Sequence, residues 1–145
     1  MKLSNDWFTA LSTAENENLV IVTGRKALQE FKATKKLSER IELTWKYEGD
    51  AQGMPTDSEA ELMEEVQELL QKVMEKDKLA IMTSVYTGDY SRIMVFYART
   101  SRVFGERINE ALSTYEQLPL SIYVELDEEW EEYSDMLEMQ AWAVE

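Results

Sequence analysis

Apolar and polar residues alternate in two separate stretches of the chain, which is the pattern of a strand with one buried face. The first stretch covers residues 41–47 and the second covers residues 120–126. Residues 79–86 and 92–98 are instead apolar on both faces, and they flank Gly88 and Asp89. A short glycine-containing connection between two apolar runs is typical of a tight hairpin. We therefore predict four strands in this part of the chain.

Two other stretches repeat their apolar residues at the three/four spacing of an amphipathic helix. They run from Leu62 to Met74 and from Val103 to Tyr115. Thr56 with Glu59 three residues later is a capping-box pattern, which predicts where the first helix begins. A third stretch, at the C-terminal end, is strongly acidic. Its residues Trp130, Tyr133, Leu137 and Ala141 lie along one side of a predicted C-terminal helix.

From residue 41 onward the elements read strand, helix, strand, strand, helix, strand. This order is typical of the ferredoxin-like fold, an α+β class in which a split β-α-β arrangement places two helices on one face of a four-stranded antiparallel sheet. Before it, residues 7–12 and 19–23 predict an added N-terminal β-hairpin, and residues 25–36 predict a basic connector with a short helix.

We predict a single domain over residues 1–145, since this length suits one hydrophobic core. Residues 1–40 would hold the N-terminal hairpin and basic connector. Residues 41–126 would form the ferredoxin-like core, and residues 127–145 the acidic C-terminal helix.

The second face of the predicted sheet needs a cover. We expect Met82, Tyr86, Met94 and Phe96 on that face, which makes it too apolar to stay in water. The C-terminal helix or the N-terminal hairpin is the expected cover, because Trp130 and Tyr133 are suitably bulky. A homodimer is the alternative.

Charge narrows the possible partners. The chain has 29 acidic and 15 basic residues, for a net charge of -14, and residues 108–145 contain 11 acids and no base. Such a surface repels nucleic acid and anionic membranes. We therefore expect neither partner, although Arg92, Phe96 and Tyr97 lie on a strand of the kind that stacks RNA bases in some folds. Core packing is the preferred interpretation of that strand.

The chain contains no cysteine and no histidine. These absences argue against common zinc and iron–sulfur sites, thiol chemistry and an imidazole base. No phosphate-binding or dinucleotide glycine motif occurs in the sequence. We therefore predict a protein that is not an enzyme and has no cofactor, no metal site and no catalytic residue. The lack of cysteine and of a long apolar run predicts a cytoplasmic protein.

The base-free C-terminal stretch provides the candidate binding residues. Glu128 and Glu132 are four apart, as two carboxylates holding Mg²⁺ or Ca²⁺ would be, but no calcium-loop pattern surrounds them. A surface for a basic protein is the preferred interpretation. The partner-binding candidates are Asp127, Glu128, Trp130, Glu131, Glu132 and Tyr133.

Six of the 15 basic residues lie between Arg25 and Arg40. This basic segment predicts ion pairs with the acidic helix, either within one molecule or across a dimer. An ordinary surface and a separate anionic ligand are the alternatives. Exposed ion pairs contribute only about 0–1 kcal/mol each, so these contacts would orient the segment more than stabilise it.

Four short motifs occur in an order that resembles the Domain of Unknown Function 695 family, which is bacterial and uncharacterised. They are Asp6-Trp7-Phe8, Gly53-Met54-Pro55, the segment 87–97 that leads to Phe104, and the segment 127–133 followed by Leu137. The resemblance covers nearly the whole chain. It implies a small cytoplasmic α+β domain, and it supplies no activity and no catalytic residue.

Two functions remain open on these observations. The leading hypothesis is a non-enzymatic protein-interaction or regulatory module that uses the acidic surface. The alternative is a small-molecule-binding domain, or a minor enzyme, with a cleft between the N-terminal hairpin and the sheet. A pocket with several converging polar side chains would favour the second hypothesis.

Overall fold

A computed structural model describes residues 1–144, which contain six β-strands and four α-helices. In chain order they are β1 (Trp7–Thr13), β2 (Leu19–Arg25), α1 (Gln29–Thr34), β3 (Glu39–Lys46), α2 (Asp57–Glu75), β4 (Ala80–Gly88), β5 (Ser91–Ala98), α3 (Ser101–Ala111), β6 (Leu120–Leu126) and α4 (Glu131–Leu137), followed by a 3₁₀ helix (Glu138–Trp142).

All six strands belong to one antiparallel sheet in the order β1-β2-β4-β5-β3-β6. The α+β class is confirmed, but the sheet is not the simple four-stranded split β-α-β arrangement that the sequence predicts. The N-terminal hairpin is confirmed as a hairpin. It extends the sheet beside β4, because Val20 to Gly24 pair with Ser84 to Gly88.

The longest helix, α2, begins where the capping box predicts. The Thr56 side chain accepts a hydrogen bond from the Glu59 backbone, and the Glu59 carboxylate accepts one from the Thr56 N–H at 2.9 Å. Its apolar stripe is buried and, with α3, covers one face of the sheet as the α2–α3 layer. No helix in the described part of the chain is long and apolar enough to cross a membrane.

The assignment of apolar residues to the two faces was wrong at the centre of the sheet. Met82, Met94 and Phe96 pack in the α2–α3 layer rather than on the second face. Strands β4 and β5 are buried on both faces. Their continuous apolar runs therefore do not indicate which residues point to which helical layer. An irregularity in the pairing between Met82 and Ser84 also shifts the alternation within β4.

The second face is covered by α1 and α4, which form the α1–α4 layer. Phe31 of α1 and Trp130, Tyr133 and Met136 next to or within α4 belong there to one buried cluster with Tyr97 of β5. The C-terminal helix is thus a cover, as expected, and the N-terminal hairpin is not. The helix is shorter than predicted, because α4 starts only at residue 131 and gives way to a 3₁₀ helix after residue 137.

The hairpin between β4 and β5 turns through two residues, Asp89 and Tyr90. Both have positive φ, at 51° and 69°, which is the geometry of a type I′ turn. The amides of Asn16 and Asn18 donate to the Asp89 carboxylate at 2.9 and 3.0 Å. The predicted tight hairpin is therefore confirmed, and the loop of the N-terminal hairpin holds it in place.

The two edges of the sheet differ. At the β1 edge, Ala143 forms a bridge with Ala10, and the Val144 N–H donates to the Thr9 carbonyl at 2.6 Å. The chain's own C-terminal segment therefore covers part of that edge. At the other edge, β6 pairs only with β3 in the described part of the chain.

Candidate functional site

The sequence-predicted binding residues divide into an exposed and a buried set. Glu128, Glu131 and Glu132 are exposed around the start of α4. Asp127, Trp130 and Tyr133 are buried, with exposed fractions of 9%, 0% and 2%. The prediction that Trp130 and Tyr133 contact a partner was therefore wrong, because both side chains belong to the core.

Trp130 is held by its ring and by its polar edge. The ring stacks on Tyr97 with centroids 4.3 Å apart and meets Tyr133 edge-on at 5.2 Å. The indole Nε1 donates to the Leu37 carbonyl at 2.7 Å. Its backbone has a φ of 55°, which is rare for a bulky residue and is maintained by this packing. Trp130 thus joins the start of α4 to the sheet.

Asp127 anchors the first turn of α4. Its carboxylate accepts hydrogen bonds from the Tyr97 hydroxyl at 2.6 Å and from the backbone N–H groups of Glu131 and Glu132 at 2.9 and 3.1 Å. Burial opposes ionisation of Asp127, but these hydrogen bonds lower its pKa below the usual value. Burial and the adjacent carboxylate raise the pKa of Tyr97. This cluster is a structural anchor for α4.

The basic segment pairs within the same molecule, as one of the alternatives predicted. Lys35 forms an ion pair with Glu129, and Lys32 donates to the Ser134 hydroxyl at 3.2 Å. Arg40 pairs with Glu42 and lies 3.4 Å from Glu125. The two lysine contacts connect α1 and the residue after it to the start of α4. The Arg40 contacts lie on β3 and β6, and the ion pairs together neutralise part of the acidic surface.

A groove of about 460 Å³ lies between α2 and the part of the sheet that carries the N-terminal hairpin. It forms because the six-stranded sheet is wider than the α2–α3 layer that covers it. Its walls consist of Trp7, Ile21, Thr23, Val85, Thr87 and Arg92 from the strands, Glu64, Gln67, Glu68 and Gln71 from α2, and Met54 and Pro55 at one end.

Arg92 is the buried polar centre of the groove wall, with 6% of its surface exposed. Its Nε donates to the Thr87 hydroxyl at 3.0 Å, and its Nη1 donates to Glu64 at 2.9 Å and to the Gln67 carbonyl oxygen at 3.0 Å. Because Gln67 accepts through its oxygen, its amide nitrogen remains available to donate into the groove.

A second buried arginine ties the same helix to the sheet near Trp7. Arg25 is 3% exposed, and its Nη1 donates to Glu75 at 2.8 Å and to the Met82 carbonyl at 3.0 Å. Its guanidinium lies 5.1 Å from the centre of the Trp7 ring, within the range of a cation–π contact. Arg25 and Arg92 therefore fix the position of α2 over the groove.

The groove combines neutral hydrogen-bonding groups with flat apolar ones. Thr23, Gln67 and Gln71 offer hydroxyl and amide groups, while Trp7 and Met54 offer apolar surface. Glu64 and Glu68 place carboxylates along one wall, which disfavours an anionic ligand. The arrangement is suited to holding a small polar molecule by several hydrogen bonds.

The sequence hypothesis of a cleft between the N-terminal hairpin and the sheet gave the wrong position, because the hairpin is part of the sheet and the groove lies between that sheet and α2. It also identified none of the groove residues. Two signals were available. Arg25 and Arg92 lie in otherwise apolar strands, and a buried arginine needs a partner. The positions 64, 67, 68, 71 and 75 of α2 form a polar stripe beside its apolar one, although a stripe of this kind is also typical of a solvated helix face.

The comparison with protein families identifies the chain. The protein-family model described as "Family of unknown function (DUF695)" matches residues 5–138 of the chain. This match covers nearly the whole chain, so the chain belongs to that family, and the resemblance found in the sequence is confirmed. No curated protein and no solved structure matches the chain.

Proposed function

Because membership in this family assigns no activity, we propose from the groove that the chain is a non-enzymatic binding protein for a small neutral molecule. The observation that carries the proposal is the buried Arg92, which holds Thr87, Glu64 and Gln67 in fixed positions along one groove. Pre-formed clefts with a few fixed polar groups are typical of ligand sites. The ligand class that fits is a neutral molecule with several hydroxyl or amide groups.

Chemical-shift mapping tests this proposal with a panel of neutral monosaccharides and small amides as probes. We expect saturable shifts confined to the backbone signals of Thr23, Gln67, Gln71 and their neighbours. Carboxylate analogues of the same probes should bind more weakly, because Glu64 and Glu68 line the wall. Shifts that map elsewhere, or none from the whole panel, would contradict the proposal.

A groove-filling variant provides the matched comparison. Thr23→Trp places a large ring in the groove and should abolish the shifts. Thr13→Trp introduces the same side chain at an exposed strand position outside the groove lining, and it should leave them intact. If Thr23→Trp binds the probes as well as the wild type, the groove is not their site.

The acidic surface supports a second candidate function, binding of a protein with a basic surface. Glu128, Glu131 and Glu132 are exposed in a stretch that contains no base. With Trp130 and Tyr133 buried, this surface has no large apolar anchor of its own, so binding would be weak and sensitive to salt.

Affinity capture at low salt and at about 0.5 M salt tests the second candidate, since high salt shortens electrostatic reach to a few ångströms. Charge reversal of Glu128, Glu131 and Glu132 should release a partner captured at low salt. Charge reversal of Glu15, Glu17 and Glu61, which are also exposed, is the control and should retain it. A partner that survives the first change would contradict this candidate.

We also propose a finer description of the fold and a cellular location. The antiparallel pairings β4-β5, β5-β3 and β3-β6, with α2 and α3 in one layer, support a ferredoxin-like unit extended by the N-terminal hairpin. The absence of cysteine supports a cytoplasmic location.

A further inference from the structure

The edge strand β6 exposes more large apolar surface than any other strand. Ile122, Tyr123, Val124 and Leu126 are 48%, 55%, 39% and 69% exposed. Side chains 120, 122, 124 and 126 lie on the α2–α3 side of the sheet, because they pair with residues of β3 that pack in that layer. Uncovered apolar edges of this kind template pairing with another strand.

The backbone of β6 has a defined set of outward groups. The Asp127 N–H donates to the Ser38 carbonyl, and the Lys46 N–H donates to the Pro119 carbonyl. In this antiparallel register the odd-numbered residues of β6 therefore direct their backbone groups toward β3. The N–H and C=O groups of Ile122, Val124 and Leu126 consequently point to the free edge. A new strand would bond to these groups.

We propose that this strand pairs with β6 of a second copy of the chain, antiparallel and centred on Tyr123. The strand reads Leu-Ser-Ile-Tyr-Val-Glu-Leu, which is nearly palindromic in side-chain character about its middle residue. In this register Ile122 meets Val124 of the second copy, and Leu120 meets Leu126. An interface with a two-fold axis requires such self-complementarity, because the same patch serves both copies.

The outward backbone groups favour the same register. The hydrogen-bonded pairs of this register join even-numbered residues, and Ile122, Val124 and Leu126 direct their backbone groups to the free edge. The Leu120 N–H already donates to the Leu118 carbonyl at 2.8 Å, so the central hydrogen bonds are those between Ile122 and Val124. Tyr123 then faces Tyr123 of the second copy as a non-hydrogen-bonded pair, in which opposite side chains are closest. The backbone pattern allows the registers that pair even-numbered residues, and the near-palindromic side-chain pattern selects the one centred on Tyr123 among them.

The low charge of β6 makes this edge a place where two acidic chains can meet. Two chains of net charge -14 repel each other, so they can approach only through a weakly charged surface. Glu125 is the only charged residue of β6. In the proposed register it faces Ser121 of the second copy, whose hydroxyl can donate to it, and it keeps its contacts with Arg40 and with the Tyr123 hydroxyl.

The neighbouring surface accommodates the most exposed side chain of the strand. A groove of about 290 Å³ between the end of α3 and β6 is lined by Leu112, Tyr115, Leu118 and Leu120. Leu126 of the second copy would lie beside Leu120, at the mouth of this groove. Four half-exposed side chains cover less than the roughly 800 Å² per partner of a standard interface. We therefore expect a reversible dimer.

Cysteine cross-linking tests the register, and the natural absence of cysteine makes the experiment clean. Tyr123→Cys places two thiols opposite each other at the axis, within the reach of a disulfide. Ser121→Cys is the matched control, because its two copies would be four residues apart along the strands, about 13 Å. Under mild oxidation only Tyr123→Cys should yield a covalent dimer on a non-reducing gel. Equal cross-linking of both variants, or of neither, would overturn the proposed register.

Sedimentation over a concentration series tests the edge itself. We expect the mass to rise from 16.9 kDa toward twice that value, with half-association on the order of 10–100 μM. Val124→Lys places a charge against the apolar strand and should keep the chain monomeric. Leu11→Lys makes the same kind of change on β1 and should not. If the wild type stays monomeric at millimolar concentration, the proposal that β6 pairs with a second copy is wrong, and the edge would have to bind another partner.

Salt distinguishes this dimer from binding through the acidic surface. High salt screens the repulsion between two acidic chains, so the dimer should strengthen as salt rises from about 0.05 to about 0.5 M, whereas binding through the acidic surface should weaken. A dimer that dissociates as salt rises would contradict an apolar edge interface.

Discussion

The two layers that cover the sheet are built by different means. In the α2–α3 layer, helices of 19 and 11 residues bring apolar stripes onto the sheet. The stripe of α2 consists of Met63, Val66, Leu70 and Met74, and that of α3 consists of Phe104 and Ile108. In the α1–α4 layer, helices of six and seven residues depend on aromatic rings centred on Trp130. Hydrogen bonds from Trp130 to Leu37 and from the Tyr133 hydroxyl to Arg25 then join this layer to neighbouring backbone.

This difference implies a difference in local stability. Isolated helices shorter than about 12 residues are marginal in water, so α1 and α4 cannot persist without their tertiary contacts. The α2–α3 layer contains a helix with its own capping box and a long apolar stripe. We therefore expect the α1–α4 layer to open locally before the sheet unfolds.

The largest expected effect comes from removing the ring at the centre of the α1–α4 layer. Trp130→Ala should lower the free energy of unfolding by about 3–5 kcal/mol, because it leaves a cavity beside Tyr97 and an unpaired Leu37 carbonyl. Phe104→Ala, in the α2–α3 layer, removes a buried ring that packs edge-on against Phe96 at 5.0 Å and should cost a similar amount.

Hydrogen exchange distinguishes the two losses, which urea denaturation alone would not. In Trp130→Ala, exchange should accelerate selectively in residues 127–144 while β3 to β5 stay protected. In Phe104→Ala it should accelerate across the sheet. If both variants show the same exchange pattern, the two layers are one cooperative unit.

A smaller effect is expected from a pair of glycines, one in β2 beneath the α1–α4 layer and one in α3. A Cβ at Gly24 would lie 2.4 Å from the Met136 sulfur and 2.6 Å from the Phe8 ring. Gly24→Ala should therefore destabilise the protein by about 1–3 kcal/mol. A Cβ at Gly105 of α3 meets nothing within 4 Å, so Gly105→Ala should stabilise it by about 0.5–1 kcal/mol.

Thermal unfolding of the two variants measures this contrast directly. The midpoint should fall for Gly24→Ala and rise for Gly105→Ala. A neutral Gly24→Ala would mean that Met136, and hence α4, moves aside without cost, which would weaken the case for an ordered α1–α4 layer.

The sequence predicts the α2–α3 layer well because its signals are local. The capping box at Thr56 and the three/four spacing after it are complete within one segment, and the structure confirms both. The alternation of β3 and β6 also lies within single segments, and it marks them as strands of the sheet.

The α1–α4 layer is less predictable because its contacts join residues far apart in the chain. Trp130 reaches Leu37 across 93 positions, and Tyr133 reaches Arg25 across 108. In an acidic segment with two aromatic residues, the pattern does not indicate whether the aromatic side chains are exposed on a binding surface or buried in the core. The pairing of Asp127 with Tyr97 likewise had no local signature.

The groove is hidden from the sequence for a related reason. It exists because the N-terminal hairpin widens the sheet beyond the helices that cover it. This widening depends on β2 pairing with β4 across 60 to 68 positions. Arg92 belongs to an apolar strand, where a single sequence cannot tell a groove wall from a core.

The smallest expected effect concerns the pH dependence of the α1–α4 layer. Asp127→Asn removes a carboxylate that accepts three hydrogen bonds, and it should cost about 1–2 kcal/mol at pH 7. The folded-state pKa of Asp127 lies below the unfolded value of 3.8. Its contribution is therefore present above that value and is lost as the pH falls through the lower folded-state pKa.

The difference in stability between wild type and Asp127→Asn should consequently shrink as the pH falls from 5 toward 2, as measured by urea unfolding at each pH. Asp77→Asn is the matched comparison beside α3. Hydrogen bonds from Arg107 lower the pKa of Asp77 to about 2, but that pair is largely exposed, so its loss should cost below about 1 kcal/mol. If Asp77→Asn proves the more costly change, the buried carboxylate is not what anchors α4, and the rings around Trp130 hold the second layer alone.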